Sequence, residues 1–315
     1  KHEILFYLAG KADQLPTPAL YRDFIGDTLR EEKLVESRDF FSELYETVSE
    51  PTYPFNLAHN QMDGSDRVVS QKVMLSPEIG KAVREASSEL KMSPAVFFYA
   101  AFGLVVGRCS NADYALFGTI LLGRLQGARG SASSLGLFMN TLPVLLDLKG
   151  DIRSFIHDTN EHLQKLMAYE QTPLADVQDW SDISNEVPMF STLLNYRHSS
   201  LESSADHTVD LGAEYITGVT RNNLPVNFDV DDYGTDFGLT AKIADIGIAP
   251  SAVIAYMEKA LSLLVEHIGQ ESATVDQLSI LPEKETHQLL EVFNATGLSL
   301  PPKNETIVDL FEEQA

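Results

Sequence analysis

Apolar and polar positions along this chain switch repeatedly between a helical period and an alternating one. Ile4, Leu5 and Leu8 recur at helical spacing, and Leu15-Pro16-Thr17-Pro18 reads as a turn. Segments 19–29 and 32–48 read as amphipathic helices, the second with Leu34, Phe40, Phe41, Leu44 and Val48 on one stripe. Pro51, Pro54 and the polar run 60–65 mark a linker, after which 66–75 alternates as a strand. Ser76-Pro77-Glu78 combines an N-cap, a first-turn proline and an acidic first turn, predicting a helix to about Leu90. Ser93-Pro94 repeats the signal before 95–108, which is apolar on every side and therefore expected to be buried. Two short apolar runs, 113–122 and 138–146, are bounded by turn residues and predict buried strands. A helix with one inward face (Phe155, Ile156, Leu163, Leu166, Met167) is expected over 151–170. Strands are expected at 188–198, 206–219, 225–233 and 238–243, and a long helix over 250–268. This order predicts an α/β sandwich: one mixed sheet with helices on one face, preceded by a helical N-terminal arm.

The two central strands enclose a Gly- and Ser-rich loop, 123–136, and carry Thr119, Arg124, Asn140 and Thr141 in an otherwise oily context. A charge or an amide at the end of a buried strand needs a partner, because burying it alone costs several kcal/mol. The stretch is either a core hairpin with a solvated loop or the place where function sits.

Composition narrows the choice of chemistry. With 23 Lys and Arg against 46 Asp and Glu, the 315 residues carry a formal charge of −23. Such a surface repels phosphate backbones, so no nucleic-acid partner is expected. The single cysteine, Cys109, allows no internal disulfide and no CxxC motif. The longest apolar run, 95–107, is short of the ~20 residues that cross a bilayer. The opening KHEILFYLAG lacks the zones of a signal peptide. No membrane and a cytoplasmic location are therefore expected.

No metal is expected. The eight histidines are scattered, and none adjoin. His157 and His162, five apart, share a helix face poorly; His198, ending a strand, is the one weak catalytic candidate. GRLQGARG has neither the GK[ST] ending nor the GxGxxG spacing of a phosphate loop, and GxSxG is absent. Asp63-Gly64 reads as a turn.

GTILLGR (118–124) followed by GLFMNTLPV (136–144) resembles two consecutive signatures of nonribosomal peptide synthetase condensation domains, GTxxxxR and GxFxNTLPxR. QTPL (171–174) resembles a weakened HQxxPF element, and PMFSTLLNYRH (188–198) the PLFQVMF segment. The stretch from Leu278 onward resembles the connector to an adenylation domain. The resemblance implies a chloramphenicol-acetyltransferase-like lobe and a division into four. Residues 1–60 would end the N-terminal lobe and link it onward, and 61–270 would be the C-terminal condensation lobe. The connector would be 271–304, and 305–315 the start of an adenylation domain.

It further implies amide formation between an acyl or peptidyl group and an aminoacyl group, both carried on phosphopantetheine arms of carrier domains. No cofactor would be bound directly. The partners would be peptidyl carrier domains, the following adenylation domain and an N-terminal lobe missing from this chain. Gly118 and Thr119 match the strand that enters the tunnel floor, and Asn140 an amide near the reaction chamber. Arg124 matches the arginine that pairs with the aspartate of HHxxxDG. That motif does not occur here, so the chain alone is expected to be inactive. Leu145 stands where the family often has Arg. Two other readings fit the residues: a non-catalytic carrier-docking module, or a free-standing CoA-dependent acyltransferase.

Overall fold

The computed structural model describes residues 2–15, 20–57, 67–123, 136–198, 223–245, 247–270, 272–297 and 306–314. The linker expected near 60–65, the strand expected over 206–219, the turn at 16–18 and Arg124 lie outside them. Two compact units are present, Lys1–Ile280 and Leu281–Ala315.

In the first unit, α1 (His2–Leu8), α2 (Tyr21–Thr28) and α3 (Glu31–Tyr45) precede β1 (Val68–Met74). Then come α4 (Pro77–Leu90), α5 (Ala95–Ser110), the strands β2 (Tyr114–Leu121) and β3 (Asn140–Asp147), and α6 (Ile152–Ala168). A short α7 (Leu174–Asp179), β4 (Thr192–His198), β5 (Val226–Asp232), β6 (Phe237–Ala244) and α8 (Pro250–His267) complete it. The expected boundaries shift by a few residues, most at β4, which starts at Thr192 rather than at 188. The periodicity gives no sign of α7, a helix too short to show a face.

The six strands among the described residues form one mixed sheet in the order β1-β6-β5-β4-β2-β3. β2 runs parallel to β4 and β4 to β5, while the other neighbours are antiparallel. The α4 start follows its sequence signal: Ser76 Oγ accepts the Ile79 N–H, with Pro77 in the first turn. α5 is buried from Val96 to Gly107 and packs on the sheet, with Phe102 edge-on to Phe117 at 5.0 Å and Phe98 4.7 Å from Phe237. Two of its glycines allow this close approach. A Cβ at Gly107 would stand 2.0 Å from Leu148 Cδ1, and one at Gly103 2.8 Å from Leu146 Cδ1.

Among the described strands β3 lies at an edge, and two of its outward polar groups are occupied. The Pro143 carbonyl accepts the Tyr45 hydroxyl at 2.8 Å, and the Leu145 N–H donates to His162 Nε2 at 3.4 Å. Pro143 has no N–H to leave unpaired there. An edge dressed in this way does not invite further strand pairing.

In the second unit, α9 (Glu283–His287) runs into a π-helical turn over Gln288–Val292. α10 (Ile307–Glu312) opens on a capping box: Thr306 Oγ1 accepts the Asp309 N–H, and the Asp309 carboxylate accepts the Thr306 N–H at 2.6 Å.

Candidate functional site

The parallel strands β2, β4 and β5 all finish at the same edge of the sheet, and antiparallel β3 begins there, with Asn140 opposite Leu121. In α/β sheets the carboxyl ends of parallel strands are where ligands are handled, because loops rather than ladders meet there. The sequence candidates Gly118, Thr119, Asn140 and His198 lie on the strands that lead to this edge.

Gly118 is a close-approach position. A Cβ on it would fall 2.4 Å from Phe190 Cε2, so the buried Phe190 ring lies directly on the strand. Gly118→Ala is expected to displace that ring and cost about 1–3 kcal/mol, read as a lower urea midpoint with an unchanged slope. Thr119 is fully buried, and its hydroxyl shares a 2.5 Å hydrogen bond with Tyr99 on α5. Burial pushes the Tyr99 phenol up to about 12, only partly offset by the Thr119 bond. At neutral pH the pair is therefore an uncharged strut between helix and strand.

Asn140 uses both ends of its amide. Nδ2 donates to the carbonyls of Glu170 (3.0 Å) and Thr172 (2.6 Å), and Oδ1 accepts the Thr141 N–H at 2.9 Å. Glu170 is itself buried, and its Oε2 accepts the Gly123 N–H at 3.1 Å. Thr172 donates to Ser37 on α3, and the Gln171 amide meets the Thr28 hydroxyl on α2. A cleft of about 210 Å³ opens beside this turn, lined by Thr28, Lys33, Ser37, Tyr169 and Gln171.

His198 is not brought to this cluster. Its strand β4 is separated from β3 by β2, roughly 10 Å at ordinary strand spacing. Its ring is exposed, with Nδ1 3.6 Å from Asp232 Oδ2. Among the described residues, no group of three His, Cys, Asp or Glu could hold a metal ion.

The family model for the condensation domain matches residues 5–290 of this chain. The chain belongs to the condensation-domain family. It is 31% identical to malpibaldin synthetase of Mortierella alpina over 99% of its own length, which is 6% of that protein. It is 24% identical to bacitracin synthase 1 of Bacillus licheniformis over 98% of its length, again 6% of that protein. The chain thus spans a small part of the curated relatives it matches. Among solved structures, the X-domain from teicoplanin biosynthesis aligns with a TM-score of 0.67 at 16% identity, covering 87% of this chain and 65% of that one. The first condensation domain of the calcium-dependent antibiotic synthetase, in complex with substrate analogue 2a, aligns with a TM-score of 0.62 at 14% identity. There the shares are 87% and 62%. The fold is the expected chloramphenicol-acetyltransferase-like one.

Two features of this condensation-domain lobe are not apparent from its sequence. His162, which the sequence offers only as half of a poor metal pair with His157, lies half-buried where α6 covers β3. Burial, with a smaller push from Lys165, lowers it to about 4. Because Nε2 accepts the Leu145 N–H, the ring proton of the neutral form sits on Nδ1. The second feature is the aspartate series on β5. Asp229 and Asp231 face away from α5. Lys242 stands 2.7 Å from Asp229, while Arg197 and Lys72 stand 2.8 and 3.1 Å from Asp231. Asp232 faces the helices and is bound by the Tyr196 hydroxyl and Arg84 Nη2, each at 2.6 Å. The available signal is the alternation in VNFDVDD, which places Asp229 and Asp231 on one face and Phe228, Val230 and Asp232 on the other.

Proposed function

We propose that this chain builds one wall of a condensation site that joins an acyl or peptidyl group to an aminoacyl group, each carried on the phosphopantetheine of a carrier domain. The observation that carries this reading is the condensation-domain match over 5–290. It includes the GTILLGR and GLFMNTLPV strands, whose ends meet at the carboxyl edge of the sheet. In the reaction the acceptor amine attacks the donor thioester carbonyl. A C–N bond forms, the C–S bond breaks, the thiol leaves on the donor arm and the amine gives up a proton.

Handling that proton calls for a histidine within hydrogen-bond reach of the amine. None of this chain's histidines stands in an adjacent pair, so this sequence holds no HHxxxDG group to take that proton. The contribution of the residues present is shape: Asn140 and Glu170 hold the strand ends, while Thr119 and Tyr99 brace β2 against α5. The partners are carrier domains and, after the connector-like stretch, an adenylation domain. The compartment proposed for this assembly is the cytoplasm. No single described helix is both long and apolar enough to cross a membrane.

Mixing this chain alone with loaded donor and acceptor carriers, and separately with an acyl-CoA and an amine, tests the assignment of roles. Mass spectrometry is expected to find product in neither. Acyl transfer from CoA would make the chain a free-standing acyltransferase; carrier-to-carrier turnover near the ~1–10³ s⁻¹ of ordinary enzymes would place the proton-handling group within it.

A further inference from the structure

The turn between α6 and α7 does more than connect them. Gly123 is where the chain leaves the sheet after β2, and Asn140 is where it returns as β3. Gly123 is left-handed (φ 66°) and lies so close to Phe138 that a Cβ would stand 1.8 Å from the Phe138 carbonyl oxygen. The two strand ends are thus drawn to one point. That point is held by three bonds to a single turn: Gly123 N–H to Glu170 Oε2, and Asn140 Nδ2 to the carbonyls of residues 170 and 172.

A carboxylate is a costly choice if the position needed only to be filled. Burying it is unfavourable unless it is well bonded, and an apolar side chain would pack at no such cost. What a carboxylate supplies is a strong, directed acceptor for a backbone N–H. The amide opposite is equally particular, since only Asn or Gln offers two donors and an acceptor on one planar group. On its other side the turn is tied to the arm through Thr172–Ser37 and Gln171–Thr28. The turn thus ties the strand ends to the arm, beside the direct contacts of Tyr21 with the Leu137 carbonyl and of Phe24 with Phe138.

We propose that Glu170 is a positioning residue: acting through the Gly123 N–H, and together with Asn140, it fixes the ends of β2 and β3 against the α6–α7 turn. It thereby sets the geometry of the edge at which condensation takes place. This last consequence rests on the function proposed above; the clamp itself does not.

Amide hydrogen exchange on the full chain tests the clamp. In Glu170→Ala, exchange at Gly123 is expected to accelerate on the order of tenfold or more, while the mid-strand amides of Phe117 and Val144 keep their wild-type rates. Glu170→Gln retains an acceptor and is expected to restore most of the Gly123 protection. If Gly123 exchanges unchanged in Glu170→Ala, or if all three amides accelerate together, Glu170 is a packing residue and the proposal is overturned. If Glu170→Ala does not fold, Glu170→Met, which fills the space without a strong acceptor, takes its place: faster exchange confined to Gly123 supports the clamp, and unchanged or uniformly faster exchange refutes it. In carrier-to-carrier turnover by the longer synthetase, Glu170→Ala is expected to lower kcat at an unchanged KM for the acceptor carrier. Unchanged kcat would remove the catalytic consequence. A wild-type synthetase that forms no amide would instead defeat the function, leaving the exchange result to judge the clamp.

Discussion

Replacing Asp232 by Ala is expected to cost about 3–5 kcal/mol of unfolding free energy. Asp232 is buried, and its carboxylate accepts from Tyr196 Oη, Arg84 Nη2 and the Gly234 N–H. Burial alone would raise its pKa, but the Tyr196 and Arg84 bonds outweigh burial and hold the carboxyl below the usual range. Truncation strands a phenol and a guanidinium, the latter lying over the Phe237 ring at 4.1 Å. Removing one side of a buried pair costs more than the pair contributes. Tyr196→Phe, which takes away one neutral donor, should cost only about 1 kcal/mol. Equilibrium urea unfolding at pH 7 measures both. A loss below about 1 kcal/mol for Asp232→Ala would mean that solvent takes over the abandoned partners.

The second large effect depends on pH. His162 falls from an ordinary 6.5 to about 4 in the folded chain, so the unfolded chain takes up its proton first as the solution is acidified. A depressed histidine contributes its stability in full above pH 6.5 and loses it as the pH falls toward 4. The shift corresponds to at most about 3 kcal/mol. Protonation would set a second N–H against the Leu145 N–H that Nε2 now accepts. The surrounding charges are mixed: Glu43 from α3 and Asp158, Glu161 and Lys165 from α6 line the same cavity of about 690 Å³. Urea unfolding of the wild type and His162→Gln at pH 7, 6 and 5 is expected to converge as the pH falls, because the wild type loses stability that the variant never had. Parallel curves would show that His162 titrates normally.

Much of the fold is legible in the sequence because its signals are local. Ser76-Pro77 starts α4 as expected, and the apolar run of α5 foretells a buried helix. The β2 and β3 runs read as buried strands for the same reason, and they pair as a hairpin. The site is less legible. Asn140 stands out as an amide in an oily strand, but nothing near it in sequence names Glu170 as the residue beside it. That contact spans the sheet edge and the whole of α6. His162 is easily passed over because its partner is a backbone N–H on an edge strand, which leaves no trace in a side-chain pattern. Asp232 hides in an acidic chain, where one more carboxylate carries little information until a half-buried Tyr and Arg are seen upon it.

The most direct measurement is the mass of the acceptor carrier after one turnover by the longer synthetase proposed to contain this chain. With donor and acceptor carriers both loaded, the account predicts that the acceptor carrier gains the mass of the donor acyl group while the donor carrier is left as free thiol. Loss of the donor acyl group to water or to CoA, with the acceptor mass unchanged, would contradict it.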